Sequence, residues 1–396
     1  MAVVKHFDVI VAGLGAMGSA AVYHLARRGQ RVLGIDRFAP PHTLGSSHGH
    51  TRIIREAYFE HPQYVPMVQR AYAAWEDLER VSGERLFERT GGLMAGRPDS
   101  VVVAGARASA DRHKLPYEEL TADDIRRRFP ALRVADDAVG LLEPRAGILF
   151  PERCIAVHLG FAAAHGATLR TNDPIVEWRA DVSGIGVKVE TASGGNFTAD
   201  RLVISAGAWA KALLPELSLP LTIERSVVHW FDPARNAEDF TSRGGLPIFI
   251  WEYAPGLMIY GFPMRDEGVK VALHHQGERM ADVARVKREV SAGEIEEMRA
   301  LLDRLMPDLN GRWRESVVCL YTNTPDEDFI IDAHPAHKQV LIVSPCSGHG
   351  FKFSSAIGEI VTDLVIEGES SFDLTPFRIA RLLSPASPAS PGAVRR

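Results

Sequence analysis

The residues Phe7-Asp-Val-Ile-Val-Ala12 run straight into Gly13-Leu-Gly-Ala-Met-Gly18. An apolar run thus meets three glycines at G-x-G-x-x-G spacing. A helical pattern follows from Ala16 to Arg28, then a second apolar run, Arg31-Val-Leu-Gly-Ile-Asp36. The order reads as strand, turn, helix, strand. In that setting Gly13 permits a tight turn, Gly15 admits a pyrophosphate close to the backbone, and Gly18 lets helix pack on strand. Free N–H groups and partial positive charge at the helix N-terminus favour phosphate. Asp36 closes the second strand, where a carboxylate accepts from both ribose hydroxyls and repels a 2′-phosphate. Arg37 beside it weakens that discrimination. A bound ADP-containing dinucleotide is expected, with a glycine-rich structural turn as the alternative. The motif leaves FAD and NAD both open.

A chain of 396 residues suits two or three units of about 150 residues. Apolar residues make up 46% and charged residues 24%, enough for a large core and against disorder. A net charge of −5 gives no basic footprint for nucleic acid. No apolar run reaches the roughly 18 residues of a membrane span. The opening Met-Ala-Val-Val-Lys-His has no signal-peptide core, and the closing Val-Arg-Arg is not a peroxisomal Ser-Lys-Leu address. Cys154, Cys319 and Cys346 are too few and too scattered for a disulfide framework or a C-x-x-C metal site. A soluble cytoplasmic protein is the expectation, with neither a nucleic-acid nor a membrane partner.

After Asp36, Phe-Ala-Pro-Pro-His-Thr-Leu-Gly-Ser-Ser-His-Gly-His-Thr51 reads as a loop. It leaves the carboxyl end of a parallel strand, so it should face the dinucleotide, bringing Ser46 and Thr51 to the cofactor. His48 and His50 form an H-x-H pair, but no third ligand accompanies them and a polar loop beside phosphate or flavin explains them as well, so no metal is expected. Residues 62–80 show helical spacing at Val68, Tyr72, Trp75 and Leu78. Residues 87–96 read as a strand, 103–130 as a charged helix, 140–150 as a strand, and 151–165 as a helix with proline in its first turn. Dinucleotide-type strands resume at 167–171, 174–178, 186–191 and 199–205; Val176 on the second is assigned to the cofactor. From about residue 224 alternating strands at 227–231, 248–252, 257–261 and 268–274 point to an antiparallel sheet with one buried face. A charged helix at 293–306, strands at 316–321, 329–332 and 340–344, and a helix closing at Ile366 follow. Residues 384–396, with repeated Ser-Pro, are expected to be a mobile tail. The predicted fold class is α/β, an α+β two-domain chain. A Rossmann-like dinucleotide domain comes from 1–83, 152–223 and 325–383. A substrate domain with a mostly antiparallel sheet comes from 84–151 and 224–324.

Several blocks together resemble the monomeric sarcosine oxidase and N-methyltryptophan oxidase family of glutathione-reductase-like flavoprotein oxidases. They are Phe7–Gly18, Pro40-Pro-His-Thr43 with Thr51-Arg-Ile-Ile-Arg55, and Tyr260-Gly-Phe-Pro263. Further on come Val318-Cys-Leu-Tyr-Thr322, Asp326-Glu with Phe329-Ile-Ile-Asp332, and Ser347-Gly-His-Gly-Phe-Lys-Phe-Ser-Ser355. The match runs in order over nearly the whole chain. It implies FAD rather than NAD, and oxidation of the N–C bond of a secondary amino acid to an imine that hydrolyses, with O₂ reduced to H₂O₂. It also implies a monomer. The chain departs from the family pattern at Pro345-Cys346, at His50, where an acidic residue is usual, and at Trp230 and Trp251, which make the expected substrate sheet unusually aromatic.

Taken alone, Cys319 reads as an inert core thiol, and His349 as a turn residue or a ligand contact. Lys352 reads as a solvated helix residue, and Tyr260 as a core residue with its hydroxyl at an edge. The resemblance moves all four toward function. It implies that Cys319 carries FAD covalently and that Gly348, His349, Gly350 and Lys352 line the cofactor. Arg55 and Lys352 would clamp the substrate carboxylate, Arg52 would turn to the flavin, and Tyr260 and His274 would orient the substrate. On residues 268–274 the period of a strand puts Val269, Val271 and Leu273 on one face and Lys270, Ala272 and His274 on the other. Pattern alone would leave the second face wet; the resemblance places Lys270 over the flavin, where O₂ reacts. Cys154 and Cys346 read as structural. Two alternatives stand beside the oxidase: a dehydrogenase passing electrons to a carrier, and a non-catalytic FAD-binding subunit. Converging Arg55, Lys270 and Lys352 argue against the latter.

Overall fold

Two large sheets organise the computed structural model, which describes residues 5–181, 186–344 and 346–383. The Ser-Pro tail and Pro345 lie outside the described residues. In the first sheet, Lys5–Ala12 lies parallel to Asn196–Ile204 on one side and to Val32–Ile35 on the other. Thr168–Arg170 extends the parallel run. Asn196–Ile204 is long enough to serve two more neighbours. Its first half pairs antiparallel with Val187–Thr191 and its second half parallel with Val340–Ser344. Ile175–Ala180 and Ile330–Ala333 complete eight strands. Val9, Ile10 and Val11 are fully buried, as a parallel strand covered on both faces must be. The helix Ala16–Arg27 packs against the helices Pro151–Ala164 and Ser354–Ile366. The last contact is close because Gly358 sits on it: a Cβ there would come 2.8 Å from Ala20.

The second sheet has nine strands. Trp313–Asn323, Thr222–Phe231, Val269–His274, Leu257–Gly261 and Ile248–Ala254 run antiparallel in that order. Ile248–Ala254 then pairs parallel with Gly92–Gly96, which continues antiparallel into Val139–Glu143 and Glu118–Thr121. Register decides its two faces, because directly paired residues point the same way. Cys319 opposes Ser226, Val228 opposes Ala272, and Ala272 opposes Tyr260. With period two, Tyr321, Lys270, His274 and Ile250 share that face. Phe231, Phe249, Trp251, Val269 and Val271 form the opposite face and pack in one core with Ile125, Met298 and Leu302. The last two come from the helix Ala292–Leu305, held at its start by a Ser291–Glu294 capping box.

Several expectations change. The charged run 103–130 is two helices, Val101–His113 and Ala122–Arg128, with an edge strand between. Lys114 is left-handed at φ 55° and Pro116 follows, which together end a helix. Residues 87–96 split at Gly91 (φ 73°) into strands of different sheets. Residues 140–150 split likewise, and Phe87–Arg89, Gly147–Leu149 and Arg52–Ile54 form a third, small sheet. The second face of the large sheet is not wet: Lys270 on it is 2% exposed. Trp251 belongs to the core behind the sheet, so its bulk does not bear on the substrate. Among the described residues no helix is long and apolar enough to cross a membrane.

Candidate active site

One cavity of ≈ 560 Å³ reaches from the glycine turn to the inner face of the large sheet. At the first end, Gly13 is required by the chain itself: its φ is 94° and a Cβ would meet the Ser205 carbonyl oxygen at 2.6 Å. A Cβ on Gly18 would come 1.7 Å from the Gly13 carbonyl oxygen. Gly15 is different, with Ser47 Oγ at 3.7 Å the nearest atom to an added Cβ. The space beside it is open, and a diphosphate fits there at the start of the Ala16–Arg27 helix. The Asp36 carboxylate accepts from the Leu14 N–H at 2.6 Å and the Phe38 N–H at 2.8 Å. Both Asp36 and the exposed Arg37 line the cavity, with Ser46, Thr51 and Val176. The donor set and the open cradle fit an ADP-containing dinucleotide.

At the other end sits Cys319, buried on the inner sheet face. Its Sγ lies 3.7 Å from His48 Nε2 and 3.7 Å from Arg52 Nη2. Burial pushes the thiol up, but the hydrogen bond from His48 and the charges of Arg52, His48 and Lys270 outweigh it and bring the thiol down to about 6. A thiolate is the nucleophilic form. Arg52 is fixed by the Thr51 carbonyl at 2.8 Å and the Ser46 carbonyl at 2.7 Å. Lys270 donates to the carbonyls of Gly49 (2.7 Å) and Thr51 (3.0 Å) and to Thr51 Oγ1 (3.2 Å). Burial and the charge of Arg52 bring its ammonium down to about 7. Lys270 lies 4.8 Å from the Phe262 ring centroid and 5.4 Å from that of Trp230.

Arg52 and Arg55 diverge. The strand Arg52–Ile54 sends Arg52 to Cys319, while Arg55 turns to a segment that folds back on it. Arg55 is 1% exposed. It donates to the Ala57 carbonyl at 2.9 Å and to Glu60 at 2.5 Å, and its Nε meets no partner among the described residues. Lys352, in the turn Phe351–Phe353, is buried rather than solvated. It donates to the His349 carbonyl at 2.7 Å and Tyr58 Oη at 3.4 Å, and burial together with Arg55 brings it down to about 7. The His349 ring is fully engaged. Its Nε2 donates to the Glu327 carbonyl (3.0 Å), so Nδ1 accepts from Tyr58 Oη (2.5 Å). Arg55, Lys352, Tyr260, His274, Gly348 and Gly350 all line the same cavity. Gly348 has φ 77°, and a Cβ there would strike the Tyr321 ring at 2.7 Å and His274 at 3.1 Å.

Reading the sequence missed four contributors. His48, half of the H-x-H pair in the polar loop, lies against Cys319. Tyr321 stands two residues from Cys319 and shares its face, a relation the strand period contains. It lies 3.5 Å from His274 Nδ1. Glu60 and Tyr58 gave no sequence signal. Cys346 also lines the cavity, with its thiol 3.1 Å from Ser344 Oγ and pushed up to about 11 by burial.

A dinucleotide cradle that opens onto a cation-lined chamber suits a redox enzyme. The model of the FAD-dependent oxidoreductase family matches residues 8–364. The chain is 45% identical to a monomeric sarcosine oxidase of Streptomyces avermitilis, over 97% of this chain and 99% of the relative. It is 38% identical to an N-methyl-L-tryptophan oxidase of Salmonella heidelberg, over 95% of this chain and 99% of the relative. Its fold is similar to that of NikD, an unusual amino acid oxidase essential for nikkomycin biosynthesis, with a TM-score of 0.83 at 24% identity over 94% of this chain and 97% of that one. The chain belongs to the FAD-dependent oxidoreductase family, and FAD is the dinucleotide.

Proposed function

We propose that this protein is an oxidase of secondary amino acids, with N-methyl amino acids as the substrate class. The observation that carries the reading is the convergence of Arg55 and Lys352 on the chamber that also holds Lys270 and Cys319. Arg55 and Lys352 share one carboxylate, that of Glu60, so one positive charge is left for a further anion to balance. Arg55 Nε has no partner among the described residues, and a planar guanidinium suits a carboxylate. Tyr260, Tyr321 and His274 form the neighbouring wall and orient the amine. Burial holds the His274 imidazole neutral, so this wall adds no further positive charge beside the amine. The substrate loses two electrons and two protons from its N–C bond, O₂ takes them up as H₂O₂, and water hydrolyses the imine. Bound FAD supplies the two-electron acceptor. Lys270, charged below about 7, supplies an ammonium that favours anion formation on O₂, and this favours an oxidase over a carrier-linked dehydrogenase.

Three finer points belong to this reading. Cys319 carries FAD covalently, its thiolate favoured by His48 and Arg52. The division into 1–83 with 152–223 and 325–383, against 84–151 with 224–324, separates cofactor binding from substrate binding. The working form is a monomer, in keeping with the name of the Streptomyces relative. An anaerobic titration tests the reading. N-methyl amino acids should bleach the flavin absorbance, and N-methyl amines without a carboxylate should do so far less readily. Equal bleaching by both would remove the carboxylate clamp, and bleaching by neither would remove the function.

A further inference from the structure

The strand Val139–Glu143 ends on a carboxylate that the chemistry above does not use. Glu143 is 1% exposed and is absent from the cavity wall. One of its oxygens accepts from the Glu56 N–H at 2.7 Å and the other from the Ala57 N–H at 2.9 Å. These two N–H groups belong to the turn that begins immediately after Arg55. The Ala57 carbonyl, in that same turn, accepts from Arg55 Nη1 at 2.9 Å. The turn also wraps the guanidinium in aromatic rings, with the centroids of Tyr58 and Phe59 each 4.3 Å from it. It is braced from beneath. Ser109 Oγ donates to the Tyr58 carbonyl at 2.5 Å, and a Cβ on Gly105 would come 2.2 Å from the Phe59 carbonyl oxygen.

Two adjacent N–H donors need two acceptor oxygens, and a carboxylate has them. A glutamine of the same shape has one, and its amide would set a donor against a donor. A buried carboxylate is an expensive way to hold a turn, because burial works against its charge. That cost pushes Glu143 up to about 7, despite the two peptide N–H groups that lower it. The turn it holds carries the one guanidinium that the reading above assigns to the substrate carboxylate.

Resting on that reading, we propose that Glu143 is a positioning residue for substrate recognition: by fixing the Glu56 and Ala57 peptides it aims Arg55 at the amino acid carboxylate without touching the substrate. Affinity for carboxylated substrates then depends on Glu143, and turnover of amines lacking a carboxylate does not.

The test uses the flavin-loaded enzyme and the substitution Glu143→Gln. KM for an N-methyl amino acid should rise about tenfold, the scale of one lost charged hydrogen bond, with kcat changed much less. The kcat/KM for a carboxylate-free N-methyl amine should stay near that of wild type. In an Arg55→Lys background the same change should add little, since residues acting through one another are not additive. Equal losses for both substrates, or an additive effect in the Arg55→Lys background, would overturn the inference and leave the carboxylate reading standing. An unchanged KM in Arg55→Lys alone would overturn both. If Glu143→Gln yields no flavin-loaded protein, Glu143→Asp keeps the charge, shortens the reach, and is scored by the same criteria.

Discussion

Lys270 and Lys352 are both buried and both brought down to about 7, yet they face different work. On the proposed reading, the charge that develops near Lys270 is on O₂. Preorganised charge of this kind is worth roughly 10² to 10³ in rate, so Lys270→Met should slow O₂-dependent turnover by about that factor. Anaerobic bleaching by substrate should persist. Stopped-flow mixing with O₂ measures this, and a rate within a few-fold of wild type would remove Lys270 from the oxygen site. For Lys352 the sign is fixed by its partner. Below about 7 it is charged and can hold a carboxylate; above that it is neutral and cannot. The preference for a carboxylated over a carboxylate-free amine, taken as a ratio of kcat/KM under conditions limited by flavin reduction, should fall as pH rises through about 7. The pH dependence of kcat/KM reports groups of the free enzyme, so Lys352→Met should flatten the ratio. A wild-type ratio flat from pH 6 to 9 would contradict this assignment. Gly348→Ala sets a methyl group against the rings of Tyr321 and His274. Displacement near 1 Å costs up to about 10² in rate, and steady-state assay of the variant should show a loss on that scale. Full activity would mean those rings do not position the substrate.

At the scale of elements, the helix Ala16–Arg27 meets its neighbours through an aromatic cluster that includes two neutral histidines. His158 stacks on Tyr23 at 5.6 Å and lies 5.3 Å from Trp75. Burial holds His158 near 3 and His24 near 4. Both values are depressed relative to an unfolded histidine at about 6.5, so the unfolded chain takes up protons first as pH falls. The stability these two contribute is complete above about pH 6.5 and is lost on acidification toward pH 4 and 3. His158→Phe keeps a ring in place and cannot protonate. Its melting temperature should fall less steeply than that of wild type between pH 7 and 4, and parallel slopes would exclude His158 as a source. Element by element, the sequence was legible where periodicity was long. Residues 65–82, 151–164 and 354–366 are helices as their spacing requires. It was least legible where a strand changes sheets. Gly91 and the turn after Glu143 each redirect the chain within a few residues, and period-two alternation carries no mark of which sheet a strand joins.

Across the whole molecule, the glycine turn and the inner sheet face come from residues more than two hundred apart in sequence, yet they open on one cavity. Half of that arrangement was readable. Strand period placed Lys270 and His274 on one face, and the same rule applied to Cys319 reaches Tyr321. The assembly of the cation chamber was not readable, because it depends on register between Trp313–Asn323, Thr222–Phe231 and Val269–His274, which no local pattern specifies. Nor was the Glu143 brace, which joins residues 87 apart. On the proposed reading, this chamber couples oxidation of a secondary amino acid to reduction of O₂. A closed-vessel assay with an N-methyl amino acid can quantify substrate loss, carbonyl product and peroxide together. One carbonyl and one H₂O₂ should appear for each N-methyl group lost. Substrate consumed without peroxide, or no consumption of any N-methyl amino acid by the flavin-loaded protein, would contradict that reading.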